Sequence, residues 1–348
     1  MKADEARPVR SGEELDLEAL TRFLEGAGLN EGALSVEQFP GGYSNLTYLL
    51  RLGSRELVLR RPPRGSNVRG AHDMGREYRL LSALHPHYPR VPRPLAMCED
   101  EAVLGSPFYV MERVKGLILR KAPPEGSGPE LMRELSTGLI DLLADLHSLD
   151  YQAIGMSEMG KPDGYVGRQV SGWTDRWQKS RNLPVASLDE VVTWLSHHQP
   201  AESGAALIHN DFKYDNLVLS PQDPRQVLAV LDWEMATLGD PLMDLGTTLG
   251  YWIEADDPAE LRALGFGPTF FSGNLTRAQL AERYAARRGI RLNNLPFYHA
   301  FGLFKIAVIA QQIYARFLRG LTTDPRFQHL DVAVRLLGER ALHTARSA

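Results

Sequence analysis

Asp211 and Asn216 stand five residues apart in the frame H-x-D-x-x-x-x-N that starts at His209, and Asp232 follows sixteen residues after Asn216 within VLAVLDWE. Two carboxylates and an amide at these spacings suit phosphoryl transfer. One carboxylate must lie against the attacking hydroxyl and accept its proton, while an amide oxygen and a second carboxylate hold the magnesium ions that bridge the phosphates of ATP. Magnesium takes hard oxygen ligands and keeps several waters, so two protein ligands suffice. The same residue types also arise for plainer reasons: a turn aspartate, an asparagine capping nearby backbone, a structural histidine. Lys213, two residues after Asp211, either steadies a transferred phosphoryl group or is a solvated loop lysine.

Elements must bring these groups together. LIHNDFKYDNLVL (Leu207 to Leu219) is apolar at both ends, as a buried strand or strand pair would be, so its polar middle is expected to be a loop that points Asp211 and Asn216 into one cleft. QVLAVLDWEMA reads as a neighbouring strand whose end delivers Asp232. Upstream, Asp16 can cap a helix with Leu17, Leu20, Phe23 and Leu24 on one face. ALSVEQFP, NLTYLLRL and ELVLRR read as strands, joined by PGG and by Gly53-Ser54. DMGREYRLLSAL reads as a helix, and AVLGSPFYVMERV as two further strands, the second ending near Met111. Residues 1–113 are thus expected to form a mostly antiparallel sheet with an inserted helix, preceded by the N-terminal helix. Residues 114–348 are expected to be mainly helical, with long amphipathic segments at Glu130 to Leu149 and around GRQVSGWTDRWQKSR and LDEVVTWLSHH.

The first region carries signals for a nucleotide. FPGGYSNLTYLLRL is a glycine turn between strands, and such a loop (Gly41, Gly42, Ser44, Asn45) lets backbone N–H groups approach phosphates. ELVLRR occupies the place of a strand that presents a cation to those phosphates. Val58 and Arg60 alternate onto one face and Arg61 onto the other, which favours Arg60 as the cation. Glu77 on the following helix is placed to pair with it. YVMERVKG reads as a hinge, with Met111 closing the back of a nucleotide pocket and the backbone of Glu112 to Val114 meeting the base.

Composition excludes several classes. The chain has 348 residues, 43% of them hydrophobic and 24% charged, the balance of an ordinary globular protein. A net charge of −4 gives no bulk affinity for nucleic acid or an anionic membrane. One cysteine, Cys98, forbids an internal disulfide and fits a reducing, cytoplasmic compartment. The first twenty residues carry acids throughout and lack an apolar core, so no secretion signal is expected there. FYHAFGLFKIAVIAQQIYARFL is interrupted by Lys305 and two glutamines and reads as a buried helix, not a membrane span. Nothing in the sequence speaks to oligomeric state.

In LIHNDFKYDNLVL and VLDWEMATLGDPLMDLG the chain resembles the aminoglycoside phosphotransferase (APH) family, which has the protein-kinase-like bilobal fold, and the likeness runs from about Gln38 to Leu249. The resemblance implies an α+β kinase that uses ATP and Mg2+, with Asp211 as base, Asn216 and Asp232 as metal ligands, and Asp244 bracing the catalytic loop. FPGGYSNLTYLL, LVLRRPP and GRQVSGWTDRW are similar to a narrower branch, the kinase domain of certain acyl-CoA dehydrogenase fusion proteins, associated with phosphorylating hydroxyacyl-CoA substrates. Two departures stand out. Asn210 replaces the family's glycine, and Arg60 replaces its lysine; arginine binds phosphate bidentately but is bulkier.

The expected partner is a small-molecule acceptor with a hydroxyl. From Tyr251 onward 13 Arg and Lys face 8 Asp and Glu, which disfavours a polycationic aminoglycoside and favours an anionic acceptor such as a hydroxyacyl-CoA. Arg283, Arg287, Arg288 and Arg291 either meet coenzyme A phosphates or form a solvated helix face. Trp173 and Trp177 share a helix face, for core packing or for acceptor contact. Two alternatives remain: an aminoglycoside O-phosphotransferase, and a non-catalytic nucleotide-binding module suggested by Arg60 and Asn210.

Overall fold

The computed structural model describes residues 5–29, 32–40, 45–63, 73–322 and 324–347. The fold is α+β. The chain divides into two compact units: Met1–Ile118 with Gln152–Met159 and Asn216–Met235, and Leu119–Tyr151 with Gly160–Asp215 and Ala236–Ala348.

The first unit is built on a five-stranded antiparallel sheet. Its strands are β1 (Leu34–Gln38), β2 (Leu46–Leu52), β3 (Arg55–Arg61), β4 (Pro94–Cys98) and β5 (Phe108–Glu112), in the order β1-β2-β3-β5-β4. Strand alternation separates two faces. Tyr48, Leu50, Leu52, Leu57, Leu59, Phe108 and Val110 join a core with Leu20 and Leu24 of the helix Leu17–Gly26. Asp16 starts that helix by accepting from the Ala19 N–H at 2.9 Å. The opposite face of β3 and β5 carries Val58 opposite Met111 and Arg60 opposite Tyr109. Asp73 caps the helix Met74–Leu84, accepting from the Arg76 N–H at 2.8 Å.

Two strand assignments need correction. The apolar run expected as a strand before Phe108 is instead a helical turn, Glu101–Leu104. Asp100 caps it through the Ala102 N–H, and Gly105, at φ 77, ends it. A local cap and stop five residues apart override the strand propensity of Ala-Val-Leu. The missing strand is β4, which begins with Pro94. A proline at the first position of an edge strand removes no ladder bond that the sheet needs.

The segment Asn216–Met235 packs with this first unit although it lies far along the chain. Leu117 and Leu219 exchange backbone hydrogen bonds at 2.8 Å each. The approach is so close that a Cβ on Gly116 would lie 2.3 Å from the Leu219 carbonyl oxygen. Leu217–Leu219 pairs with Val227–Val230, and Leu207 lies in a separate strand, Ala206–Ile208, that pairs with Thr237–Gly239. The two apolar ends of the LIHNDFKYDNLVL stretch therefore do not pair with each other.

The second unit is mainly helical: Pro129–His147, Tyr165–Ser180, Ala186–His197, Pro241–Tyr251, Arg277–Arg288, Leu295–Leu318 and Leu330–Arg346 are its longer helices. Leu295–Leu318 is long and apolar enough to cross a membrane by length and composition. Here it packs against Pro241–Tyr251 and Leu330–Arg346, with Phe297, Tyr298, Phe301, Phe304 and Val308 buried. Trp173 and Trp177 are both buried, and Trp177 Nε1 donates to Asp189 at 2.9 Å, so core packing accounts for them. Three of the four clustered arginines brace one helix against another. Arg283 and Arg287 bind Asp141 and Asp145 in bidentate fashion at 2.7 to 2.9 Å, and Arg288 donates to Ser148 Oγ at 3.0 Å. Arg283 and Arg287 stay largely exposed while paired with these acids, as a solvated helix face would be.

Candidate active site

In the second unit, the loop after Ile208 is fixed from beneath by Asp244. Asp240 caps the helix Pro241–Tyr251 through the Leu242 N–H, and one turn in, the Asp244 carboxylate meets the loop backbone. It accepts from the His209 N–H at 2.7 Å, the Asn210 N–H at 2.8 Å and His147 Nε2 at 3.1 Å. His147 Nδ1 in turn lies 2.7 Å from the Tyr284 hydroxyl. Burial alone would raise the Asp244 carboxyl, but its bond with His147 and the His209 ring hold it below the ordinary range. Burial lowers His147 and Asp244 offsets this only partly, so the ring is neutral, donating from Nε2 and accepting at Nδ1. Asn210, with φ 68, takes the left-handed conformation that explains the family's glycine there, and asparagine is the side chain that tolerates it best.

Asp211 follows directly. Both its oxygens accept from Lys213 Nζ, at 2.9 and 2.8 Å. Burial pushes the Asp211 carboxyl up, and the Lys213 ammonium and Tyr251 hydroxyl outweigh it, leaving the group ionised below the ordinary carboxylate range. Lys213 is raised in turn because Asp211 overrides the burial that opposes its charge. Its Nζ lies 4.5 Å from the centroid of the Tyr251 ring. Lys213 is thus a partner of Asp211, not a solvated loop lysine. Asp244 and Tyr251 sit two turns apart on one helix, so one face of it holds both the backbone before Asp211 and the Asp211 side chain.

In the first unit, Arg60 is surrounded by acids. It donates to Glu77 at 2.5 Å, Asp232 at 3.1 Å and Glu234 at 3.2 Å. Burial alone would lower Arg60; the carboxylates, Glu77 foremost, reverse it and keep it charged. Its buried Nε meets no acceptor among the described residues. Asn45 Nδ2 donates to Glu234 at 2.8 Å, which ties the start of β2 to the same cluster. Asn216 and Asp232 are set by the Leu217–Leu219 and Val227–Val230 ladder, which continues in a 2.8 Å bond from the Leu231 N–H to the Asn216 carbonyl. Asp232 has φ 67, a left-handed conformation unusual for aspartate. An amide oxygen and a carboxylate are hard oxygen donors, so this pair fits magnesium in chemical type. Among the described residues no trio of His, Cys, Asp or Glu is arranged to hold a metal, and an ion that keeps waters and phosphate oxygens needs none.

Of the other sequence candidates, Val58 and Met111 are buried side by side on the Arg60 face of the sheet. Glu112 donates its N–H to the Arg93 carbonyl at 2.9 Å, and Val114 follows, half-buried. Gly41, Gly42 and Ser44 lie outside the described residues.

Residues 35–283 match the model of the phosphotransferase enzyme family, more than two thirds of the chain. The chain belongs to that family. This phosphotransferase is 35% identical over 326 residues to mouse acyl-CoA dehydrogenase family member 10, covering 92% of its own length and 30% of the relative. It is 37% identical over 324 residues to chicken acyl-CoA dehydrogenase family member 11, covering 90% of itself and 41% of the relative. It thus spans between about a third and two fifths of these curated relatives. Among solved structures, a Ralstonia eutropha protein described as a candidate aminoglycoside phosphotransferase is 32% identical, with a TM-score of 0.81 over 96% of this chain and 99% of that one. The fold is protein-kinase-like, as in that family.

Sequence reasoning missed Glu234, Tyr251 and His147. Glu234 had a signal, an acid two residues after Asp232. His147 and Tyr251 end otherwise ordinary helices and carried none.

Proposed function

We propose that this phosphotransferase is an ATP- and magnesium-dependent small-molecule kinase whose acceptor is the hydroxyl of a hydroxyacyl-CoA-type molecule. The observation that carries the reading is Asp211: a partly buried, ionised carboxylate on a backbone clamped by Asp244. Such a group accepts the proton of an attacking hydroxyl as the oxygen bonds to the γ-phosphorus and the bridge to ADP breaks. Lys213, already on Asp211, supplies positive charge where the transferred phosphoryl oxygens carry negative charge. Arg60, anchored by Glu77, binds the nucleotide phosphates through its guanidinium fork. Asn216 and Asp232 would hold magnesium, which neutralises phosphate charge when bound. With the Glu112 N–H engaged by Arg93, the adenine contact falls to the Glu112 carbonyl and to Val114, with Val58 and Met111 packing on the ring.

The acyl-CoA acceptor draws support from the names of the curated relatives and from the basic excess after Tyr251. A second reading, an aminoglycoside acceptor, draws support from the description of the Ralstonia protein. One screen separates them. The chain is incubated with ATP and magnesium against hydroxyacyl-CoA, alcohol and aminoglycoside libraries, and products are read by mass for the gain of one phosphoryl group. Phosphorylated hydroxyacyl-CoA is the expected product. Aminoglycoside phosphate with unmodified acyl-CoA would replace the first reading with the second.

A further inference from the structure

The helix Leu295–Leu318 is apolar through most of its buried length, yet Lys305 lies in it at 1% exposure. Lysine is almost never fully buried unless its partners demand it. Glycines set its place. A Cβ on Gly246 would fall 2.1 Å from the Tyr298 carbonyl oxygen, and one on Gly302 would fall 2.1 Å from the Gly246 carbonyl oxygen. Bare backbone on both sides lets Leu295–Leu318 approach Pro241–Tyr251, the helix that carries Asp244. Three residues beyond Gly302, Lys305 Nζ donates to the Asn210 carbonyl at 2.8 Å and to Asn210 Oδ1 at 3.0 Å. It also lies 5.7 Å from the centroid of a Trp173 ring.

Every polar atom of Asn210 is accounted for. Its N–H goes to Asp244, its carbonyl and Oδ1 to Lys305, and its Nδ2 to the Tyr165 hydroxyl at 3.1 Å. The residue so held is left-handed and directly precedes Asp211. Where a glycine would take this conformation without side-chain support, asparagine takes it with an amide that a buried ammonium can grip.

We propose that Lys305 is a positioning residue for phosphoryl transfer: it fixes the left-handed turn at Asn210 and, through that turn, the direction of the Asp211 carboxylate. The inference rests on the assignment of Asp211 as the base. Lys305 acts through Asn210 and touches no reacting atom. Burial lowers the Lys305 ammonium to about 8, partly opposed by Asp244 and Asp211 and reinforced by Lys213 and Arg176. The charged and titratable groups facing it are Arg176 and Tyr165 on one helix, Asp244 on another, and Asp211 and Lys213 on the loop. Its charge is present below that pH and lost as pH rises through it.

The test compares the full chain with Lys305→Met, which keeps the side chain's bulk, and with Asn210→Gly, which suits the backbone conformation. Two quantities are read: magnesium-ATP turnover, with water as acceptor, and amide hydrogen exchange in peptides covering 206–216. Lys305→Met is expected to lower kcat by about tenfold or more with KM for ATP held within about twofold, since small misplacements at a reacting centre act on kcat. Exchange should rise in 206–216 and not elsewhere, and the decline in wild-type turnover above about pH 8 should vanish. Asn210→Gly should show the same pattern more weakly. Unchanged exchange in 206–216, a rise spread over the whole chain, or an unaltered kcat would each overturn the proposal. If the wild-type chain transfers phosphate neither to water nor to any acceptor of the library, the functional reading fails by itself, and the exchange pattern alone decides whether Lys305 holds the loop.

Discussion

The molecule contains two charged clusters built on opposite rules. Around Asp244 every acid is matched: three donors meet one carboxylate, and Asp211 is matched by Lys213 and Tyr251. Around Arg60 one guanidinium stands among three carboxylates. The first cluster is closed, with its geometry settled before any ligand arrives. The second carries excess negative charge, which a cation would relieve. A phosphotransferase needs both characters, because a base must be aimed in advance whereas a metal and its nucleotide must come and go.

The largest expected effect is on turnover. Asp211→Asn keeps the shape of the loop and removes the proton acceptor, so phosphoryl transfer should fall about 10²- to 10⁴-fold while ATP still raises the melting temperature. Turnover near wild type would remove Asp211 from its role. Next comes stability. Asp244→Ala leaves the N–H groups of His209 and Asn210 and the His147 ring without their acceptor, and should cost about 3–5 kcal/mol in urea unfolding of the full chain. The mirror experiment in the other cluster should go the opposite way. Asp232→Asn relieves like-charge crowding and suits a left-handed backbone, so the free protein should be as stable or slightly more so, while magnesium-dependent stabilisation by ATP is lost. Equal destabilisation by both changes would erase the contrast.

Acid should erode the closed cluster in two stages. His147 is buried neutral with its folded value below 6.5, so the unfolded chain binds a proton first, and stability falls as pH drops below about 6.5. Asp244 and Asp211 are held below 3.8, so their contribution is present above that value and is lost as pH falls through the folded values. His147→Gln should flatten the melting-temperature profile of the first stage only. The smallest effect belongs to the helix-bracing arginines. Arg287→Ala should change stability by about 0.5 kcal/mol, diminishing with salt, and leave KM for any acyl-CoA acceptor unchanged. A large rise in that KM would restore the coenzyme A reading of this face.

Much of this was legible in the residues. Strand alternation separated Arg60 from Arg61 before any coordinates, because side chains at a period of two must part to opposite faces. The first helix lies where Asp16 signalled it, and Met74–Leu84 lies within the segment DMGREYRLLSAL read as helical. Less legible was Glu101–Leu104, where the Asp100 cap just before it outweighed strand-forming side chains, and β4, whose opening proline hid an edge strand. The pairing of Thr237–Gly239 with Ala206–Ile208 was invisible, since three-residue strands carry no period to read.

The sequence by itself determined the chemical inventory, namely a base, two hard oxygen ligands and a cation, because spacing and residue type survive without coordinates. It also determined the alternation that turns Arg60 toward Glu77. Only the tertiary structure decided which charges are matched. Asp244 with His147, Lys305 with Asn210, and Glu234 with Asn45 are separated by 97, 95 and 189 residues. No local pattern encodes such contacts; they follow from how closely helices and strands pack, as at the bare backbones of Gly246 and Gly302.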